Sequence, residues 1–325
     1  MKILYLPNCY SQQRQREKKA NIYPVLMAME AEWYRKQGHT VHWGRNGGTQ
    51  YNKIISEPEG LPFLSLPHPD RIFTKAKEYT SGNYKYLPGT HMQVANGCWW
   101  GKCTFCVEQN NKWEVRPVED VMSEIEECVV MGFKEVFNDS GTFPVGKWLS
   151  DFCNAMIASG LNKRIRIGCN LRAGAVTSGM CQVMELAGFR MILMGLESAN
   201  QKTLNRINKG IGIEVIKYSI LTANQAGLDI HISCMFGYPF ETGQDAIRTL
   251  KLVWWLLRKG YAKTAQASFY NPPEGGGNEN HRKYVSKLYN VAWYPDFWLT
   301  KLRDIRNVDD IKYLWRQIKA GIWKQ

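Results

Sequence analysis

The sequence predicts an α/β protein: an open, partial (β/α)6 TIM-type barrel, a small Rossmann-like lobe ahead of it and a helical extension behind. Between residues 91 and 272, six short apolar runs alternate with longer segments of helical apolar spacing. That alternation calls for parallel strands joined by right-handed crossovers, and six units fall short of the eight of a closed barrel. Residues 1–90 open with one β-α-β unit, and residues 273–325 carry helical periodicity.

In chain order, KILYL (2–6) reads as a buried strand. YPVLMAMEAEWYRKQ (23–37) has apolar residues at helical spacing and is stopped by Gly38, and HTVHW (39–43) is a second strand. The loop between them, LPNCYSQQRQ, lacks G-x-G-x-x-G, so the dinucleotide fingerprint is absent. Residues 45–90 are rich in Gly, Pro, Asn and Ser, with only short apolar pieces such as KIIS and LPFLSL, and read as the rest of the lobe and a connector. The barrel then runs through strands MQVANG (92–97), KEVFN (134–138), RIRIGCN (164–170), RMILMG (190–195), LDIHISCMF (228–236) and TAQASFY (264–270). Helices are predicted over 117–131, 147–159, 178–187, 200–208, 214–226 and 243–259.

The chain has 325 residues, 44% of them hydrophobic, and no apolar run of the length a membrane span needs. Its start, MKILYLPNCYSQQ, lacks the apolar core and cleavage site of a secretory signal, so a cytoplasmic location is expected. Nine cysteines, an odd number irregularly spaced, argue against a disulfide framework and for metal or redox use of a subset. The net charge of +13 concentrates in RQREKK (14–19) and in residues 281–325, where ten Lys/Arg face four Asp. A solvated basic face is the expectation there, not a nucleic-acid surface.

The chemistry-bearing stretch is NGCWWGKCTFCVEQN (96–110), where Cys98, Cys103 and Cys106 stand at C-x4-C-x2-C spacing. The loop follows the first barrel strand, at the end where parallel α/β folds place their sites. Three thiolates can hold three corners of an iron–sulfur cube and leave one iron open to a ligand, as a catalytic zinc keeps one position open. The alternative is a structural zinc site with His91 or a distant residue as fourth ligand, in a basic nucleic-acid-binding protein without catalysis.

The loop resembles that of the radical SAM superfamily, usually C-x3-C-x2-C with an aromatic before the last cysteine. Phe105 fits that aromatic, and one extra residue, Gly101 or a neighbour, departs from the spacing. FNDSGTF (137–143), GLESANQKTLNRINKG (195–210) and MFGYPFET (235–242) resemble the strand-end motifs of its cobalamin-type branch, in order. The resemblance implies a [4Fe-4S] cluster on the three cysteines, with S-adenosylmethionine on the open iron. It implies Asp139 and Ser140 for the cofactor's ammonium, Arg172 for its carboxylate, and Glu197 and Ser198 for ribose hydroxyls or the methionine end. Phe105 and the backbone from Met235 to Gly237 are implied for adenine. It further implies an electron donor such as flavodoxin or ferredoxin, and a radical acting on an unidentified substrate. Trp99 and Trp100 are expected to shield the cluster, or to cover loop backbone.

Residues 1–44 resemble the opening of a cobalamin-binding domain, but only about 90 residues precede the barrel and D-x-H-x-x-G is absent, so the lobe reads as a shortened remnant. Cys9 is the sole cysteine before Cys98, which disfavours the methylthiotransferase branch. Cys128, Cys153 and Cys181 are expected as buried hydrophobes on helices, while Cys169 and Cys234 on strands could face the barrel interior. Ile311, Leu314, Trp315, Ile318 and Ile322 form an apolar stripe among Lys312, Arg316, Lys319 and Lys324. That stripe is expected to pack across the barrel's open side, a peripheral membrane contact being the other reading.

Overall fold

The computed structural model describes residues 1–6, 23–44, 50–79, 84–270, 278 and 281–319. Cys9 and the RQREKK cluster lie outside them. The lobe is a parallel sheet of β1 (Lys2–Tyr5), β2 (Thr40–Trp43) and β3 (Lys53–Ile55) in the order β2-β1-β3. Helix α1 (Val25–Lys36) lays Met27, Ala31 and Tyr34 on Ile3, Tyr5, Val41 and Ile55, closing a small separate core. KIIS is therefore a strand and not connector: β3 pairs with β1 and buries Ile55.

The larger sheet has six parallel strands in the order β4-β7-β8-β9-β10-β11 and curls into a half-barrel. These strands are β4 (Gly89–Met92), β7 (Glu135–Asn138), β8 (Arg166–Asn170), β9 (Phe189–Glu197), β10 (Asp229–Phe236) and β11 (Thr264–Phe269). Helices α2 (Val118–Val130), α3 (Lys147–Ala158), α4 (Ser178–Leu186), α5 (Gln201–Arg206), α6 (Ile213–Gln225) and α7 (Gly243–Arg258) intervene in sequence and cover its outer face. Strand alternation sends Val136, Ile167, Cys169, Ile192, Ile230, Ile232 and Cys234 into that helical layer, against residues such as Ile125, Phe152, Met184, Ile220 and Val253. Cys169 and Cys234 thus face the helices and not the lumen, and Cys128, Cys153 and Cys181 are buried on helices as expected. Tyr84, Phe137 and Met191 form a separate buried cluster, with Leu193 beside it, and Gly168 is bare because a Cβ there would stand 2.6 Å from the Phe137 ring.

The first barrel strand is shorter and earlier than MQVANG. It ends at Met92, and Val94 then gives its N–H to Asn138 Oδ1 at 2.9 Å. Ala95–Asn96 (β5) turns away to pair antiparallel with Glu114–Val115 (β6). The departure is anchored by ions. Glu124 of α2, fully buried, receives Arg71 at 2.5 Å and Arg116 on its other oxygen. Arg71 also donates to the His91 carbonyl at 2.9 Å, and Arg116 to the Gln93 carbonyl at 3.0 Å.

Behind the barrel come α8 (Arg282–Lys287), α9 (Pro295–Arg303) and α10 (Val308–Lys319). Helix α10 packs near the amino-terminal ends of the strands and not across the open side. Asp310 pairs with Lys85, Arg316 donates to the Lys85 carbonyl at 2.8 Å, and Tyr313 lies under the Arg190 guanidinium at 5.8 Å. The floor it meets is charged, so Asp310 and Gln317 are the buried positions, while Ile311 and Trp315 stay 53% and 65% exposed. The predicted stripe is therefore split, with Leu314 and Ile318 half-buried and Ile311 and Trp315 turned outward, and Ile322 and Lys324 lie outside the described residues.

Burial alone would raise the Glu124 carboxyl, but Arg71 and Arg116 win and hold it down at about 2. Glu124→Gln leaves two guanidiniums under-compensated and is expected to lower the unfolding free energy by about 3–5 kcal/mol at neutral pH. A group depressed in the folded state stabilises above its unfolded value, 4.5, and that contribution fades as pH falls towards about 2. Urea unfolding of both proteins from pH 7 to pH 3 checks this: the gap between them should narrow below about pH 4.5.

Candidate active site

The cysteine loop is clasped at its base by β5 and β6, and two glycines give it shape. Gly97 has φ +76, and a Cβ there would stand 2.4 Å from the Lys112 carbonyl. Gly101 has φ +56 and turns the chain after Trp100, its carbonyl accepting from Asn110 N–H at 3.0 Å. Cys98, Cys103 and Cys106 are free and half-buried, and Cys106 N–H donates to the Cys103 carbonyl at 3.2 Å. Burial pushes the thiols of Cys103 and Cys106 up, and each also feels another cysteine of the trio.

Among the described residues, no three His, Cys, Asp or Glu side chains converge to hold a single ion. His91 is no fourth ligand: it is buried, bonded to the Tyr84 hydroxyl and packed on Phe137.

Residues 207–210, after α5, form one wall of the loop. Thr104 N–H donates to the Ile207 carbonyl and Trp100 Nε1 to the Asn208 carbonyl, both at 3.0 Å. Arg172 donates to the Lys209 carbonyl. Gly210 lies so close to Trp100 that a Cβ would stand 2.1 Å from the indole. Arg172 stacks on Trp100 of the cysteine loop with its guanidinium carbon 4.3 Å from the ring centre.

At the end of β9, Glu197 takes a left-handed backbone, φ +57, and pairs with Lys209 at 2.8 Å, both side chains 9% exposed. Non-glycine residues in that region are uncommon and cluster at functional sites. Gly195 is bare for this pair, since a Cβ would stand 2.2 Å from Glu197 Oε1. Lys209 Nζ also lies 5.9 Å from the Phe105 ring centre.

The remaining predicted residues divide. Asp139 is open to solvent at the end of β7, yet its crowded surroundings push its carboxyl up to about 6. Ser140 is fully buried: its hydroxyl donates to Asn138 Oδ1 at 2.9 Å and accepts from Ala95 N–H at 2.8 Å. Ser198 is buried too, accepting from Asn200 N–H at 3.2 Å and meeting Thr249 at 3.4 Å. In the structure both serine hydroxyls are engaged in local turns. Met235 is half-buried on β10; Gly237, at φ +90, leaves room for Phe269 and donates its N–H to Glu241 Oε2 at 2.7 Å. Phe105 meets Tyr238 edge-on at 6.3 Å.

Sequence reasoning missed Asn138, Lys209, Tyr238 and Glu241. Each sits inside a quoted motif, so position in the motif was available; what was hidden is burial. Tyr238 is 1% exposed with no partner for its hydroxyl among the described residues, and burial pushes the Glu241 carboxyl up to about 7. Ser140→Ala removes the tie between loop base and β7 and leaves the Ala95 N–H unpaired. It should cost about 1–3 kcal/mol of stability and reduce the iron retained per chain, read by urea unfolding and iron analysis.

Residues 92–253 match the Radical SAM superfamily. The chain is 28% identical over 183 residues to the anaerobic magnesium-protoporphyrin IX monomethyl ester cyclase of Cereibacter sphaeroides, covering 53% of this chain and 30% of that protein. It is 32% identical over 93 residues to the ribosomal protein uS12 methylthiotransferase RimO of Afipia carboxidovorans, 28% of this chain and 20% of that one. It thus spans less than a third of the length of either relative. Among solved structures, the cobalamin-dependent S-adenosylmethionine radical enzyme OxsB with aqua-cobalamin bound shares the fold, with TM-score 0.51 at 14% identity over 88% of this chain and 44% of that one. Through residues 92–253, the chain belongs to the radical SAM superfamily, whose cofactors are a [4Fe-4S] cluster and S-adenosylmethionine.

Proposed function

We propose that the barrel core, residues 91–272, is the catalytic unit of a radical SAM enzyme, with Cys98, Cys103 and Cys106 as its cluster ligands. The observation that carries this is the trio itself: three free, half-buried thiols on a clasped loop at the strand ends, within the residues that match the radical SAM superfamily. When bound and reduced by one electron, the cluster and cofactor supply a 5′-deoxyadenosyl radical. Asp139, accessible at the end of β7, suits the cofactor's ammonium. Glu197, fixed by Lys209, suits its ribose or methionine end. Phe105 and the backbone from Met235 to Gly237 suit adenine. Ser140 and Ser198 act through the turns they hold.

The substrate is unidentified, and a one-electron donor such as flavodoxin or ferredoxin is the expected partner. A zinc-stapled nucleic-acid binder is not favoured, because residues 92–253 match the radical SAM superfamily. A membrane contact would fall on the outward side of α10, where Ile311 and Trp315 stand beside Lys312 and Lys319; binding to anionic vesicles tests it.

A second reading, methyl transfer through bound cobalamin, is favoured by the lobe's parallel order β2-β1-β3, which is how flavodoxin-like layers begin. Titration with aquacobalamin tests it: an absorbance shift with saturation supports binding, and an unchanged spectrum removes the reading.

Anaerobically reconstituted protein should hold about four irons per chain and, when reduced with S-adenosylmethionine, release 5′-deoxyadenosine. Replacing Cys98, Cys103 or Cys106 with Ala should bring that release to background. A triple variant as active as the native protein would refute the assignment.

A further inference from the structure

The proposed function leaves unused the extra residue in the C-x4-C spacing and the Trp99–Trp100 pair it accompanies. Gly101, in its left-handed turn, reverses the chain after Trp100, and the indole folds back between Gly210 and Arg172. Arg172 is then held on three sides. Its guanidinium lies 4.3 Å from the centre of Trp100 and 5.7 Å from that of Trp99. One nitrogen donates to the Lys209 carbonyl, which fixes the group beside the cysteine loop. Among the described residues no carboxylate pairs with it, whereas the neighbouring Lys209 is neutralised by Glu197.

We propose that Arg172 is a built-in cation of the cluster site, seated by Trp100 on the cysteine loop, and that it raises the reduction potential of the bound cluster instead of gripping the cofactor's carboxylate. The inference rests on the radical SAM reading. A guanidinium recognises a carboxylate by presenting a free fork of donors, and here one donor is committed to a backbone carbonyl while an indole covers a face. Taking one electron makes the cluster more negative. A fixed cation nearby favours that state, and half-burial strengthens the effect. The longer loop has a purpose in this account: it supplies the turn that puts Trp100 under the guanidinium.

The test uses the full chain, reconstituted anaerobically, as native protein and as R172Q, R172K and W100L. Iron content is measured first. Midpoint potentials then come from titration with dithionite and mediator dyes, one electron per cluster, followed by electron paramagnetic resonance. Binding of S-adenosylmethionine is measured separately on the oxidised cluster.

The expected result is a more negative midpoint for R172Q, an intermediate one for R172K, and a negative shift for W100L, which keeps the charge but removes its seat. Cofactor affinity should stay within about threefold of native in R172K and W100L. An unshifted midpoint in R172Q overturns the proposal, and more so if cofactor binding is lost instead, which would assign Arg172 to the carboxylate. Where R172Q takes up no iron, W100L decides by the same midpoint criterion. A native chain that assembles no [4Fe-4S] cluster overturns this inference and the functional reading together, and iron analysis separates that outcome from the others.

Discussion

Glu124 and its two arginines determine where the barrel's first strand stops and the cysteine loop starts. The carboxylate sits on α2, Arg71 arrives from the connector after the lobe, and Arg116 from just beyond the loop. Each arginine also takes a backbone carbonyl of the strand end, His91 or Gln93. Four chain segments meet at one buried charge, and the loop's two ends are set relative to the sheet before any cofactor contributes. Such a cluster is weak evidence for net stability, because desolvation offsets much of the attraction, but it is unforgiving of displacement. Loss of any member strands a charge in the core.

From that fixed base, the loop is positioned by contacts to backbone more than to side chains. Val94 and Ala95 are tied to Asn138 and Ser140 at the end of β7. Thr104 and Trp100 are tied to carbonyls of residues 207 and 208. The lone side-chain pair with a charge on each partner near the thiols is Glu197 with Lys209 among the described residues. A loop held this way keeps its shape while its thiols remain half-open, which suits ligands that must meet a metal group arriving after folding.

How far this was legible follows from what each signal encodes. Alternating strand and helix patterns placed six barrel strands in order, and the spacing of Cys98, Cys103 and Cys106 marked the loop, because periodicity and ligand spacing are written locally. The start of the sheet was misjudged because MQVANG is apolar enough for a strand, while its pairing is decided by Asn138, more than forty residues away. Ser140 and Ser198 matched motif positions, yet whether a hydroxyl faces a ligand or a neighbouring N–H depends on tertiary packing that no spacing reveals. The stripe on α10 is split for a related reason. Apolar residues announce a buried face only when the partner is apolar, and here Lys85, Arg190 and Asp310 selected the polar side.

The left-handed backbone at Glu197 sets a limit on engineering the scaffold. Glycine or asparagine there would relieve conformational strain of order 1 kcal/mol or more, and a search for stabilising substitutions guided by backbone geometry would select the position early. The gain would release Lys209 from its one ion pair among the described residues, beside Phe105 and the thiols. If Glu197 serves the cofactor as proposed, thermostability and cofactor geometry are opposed at this one residue, and a hardened variant chosen for melting temperature alone would be drawn towards an inert barrel.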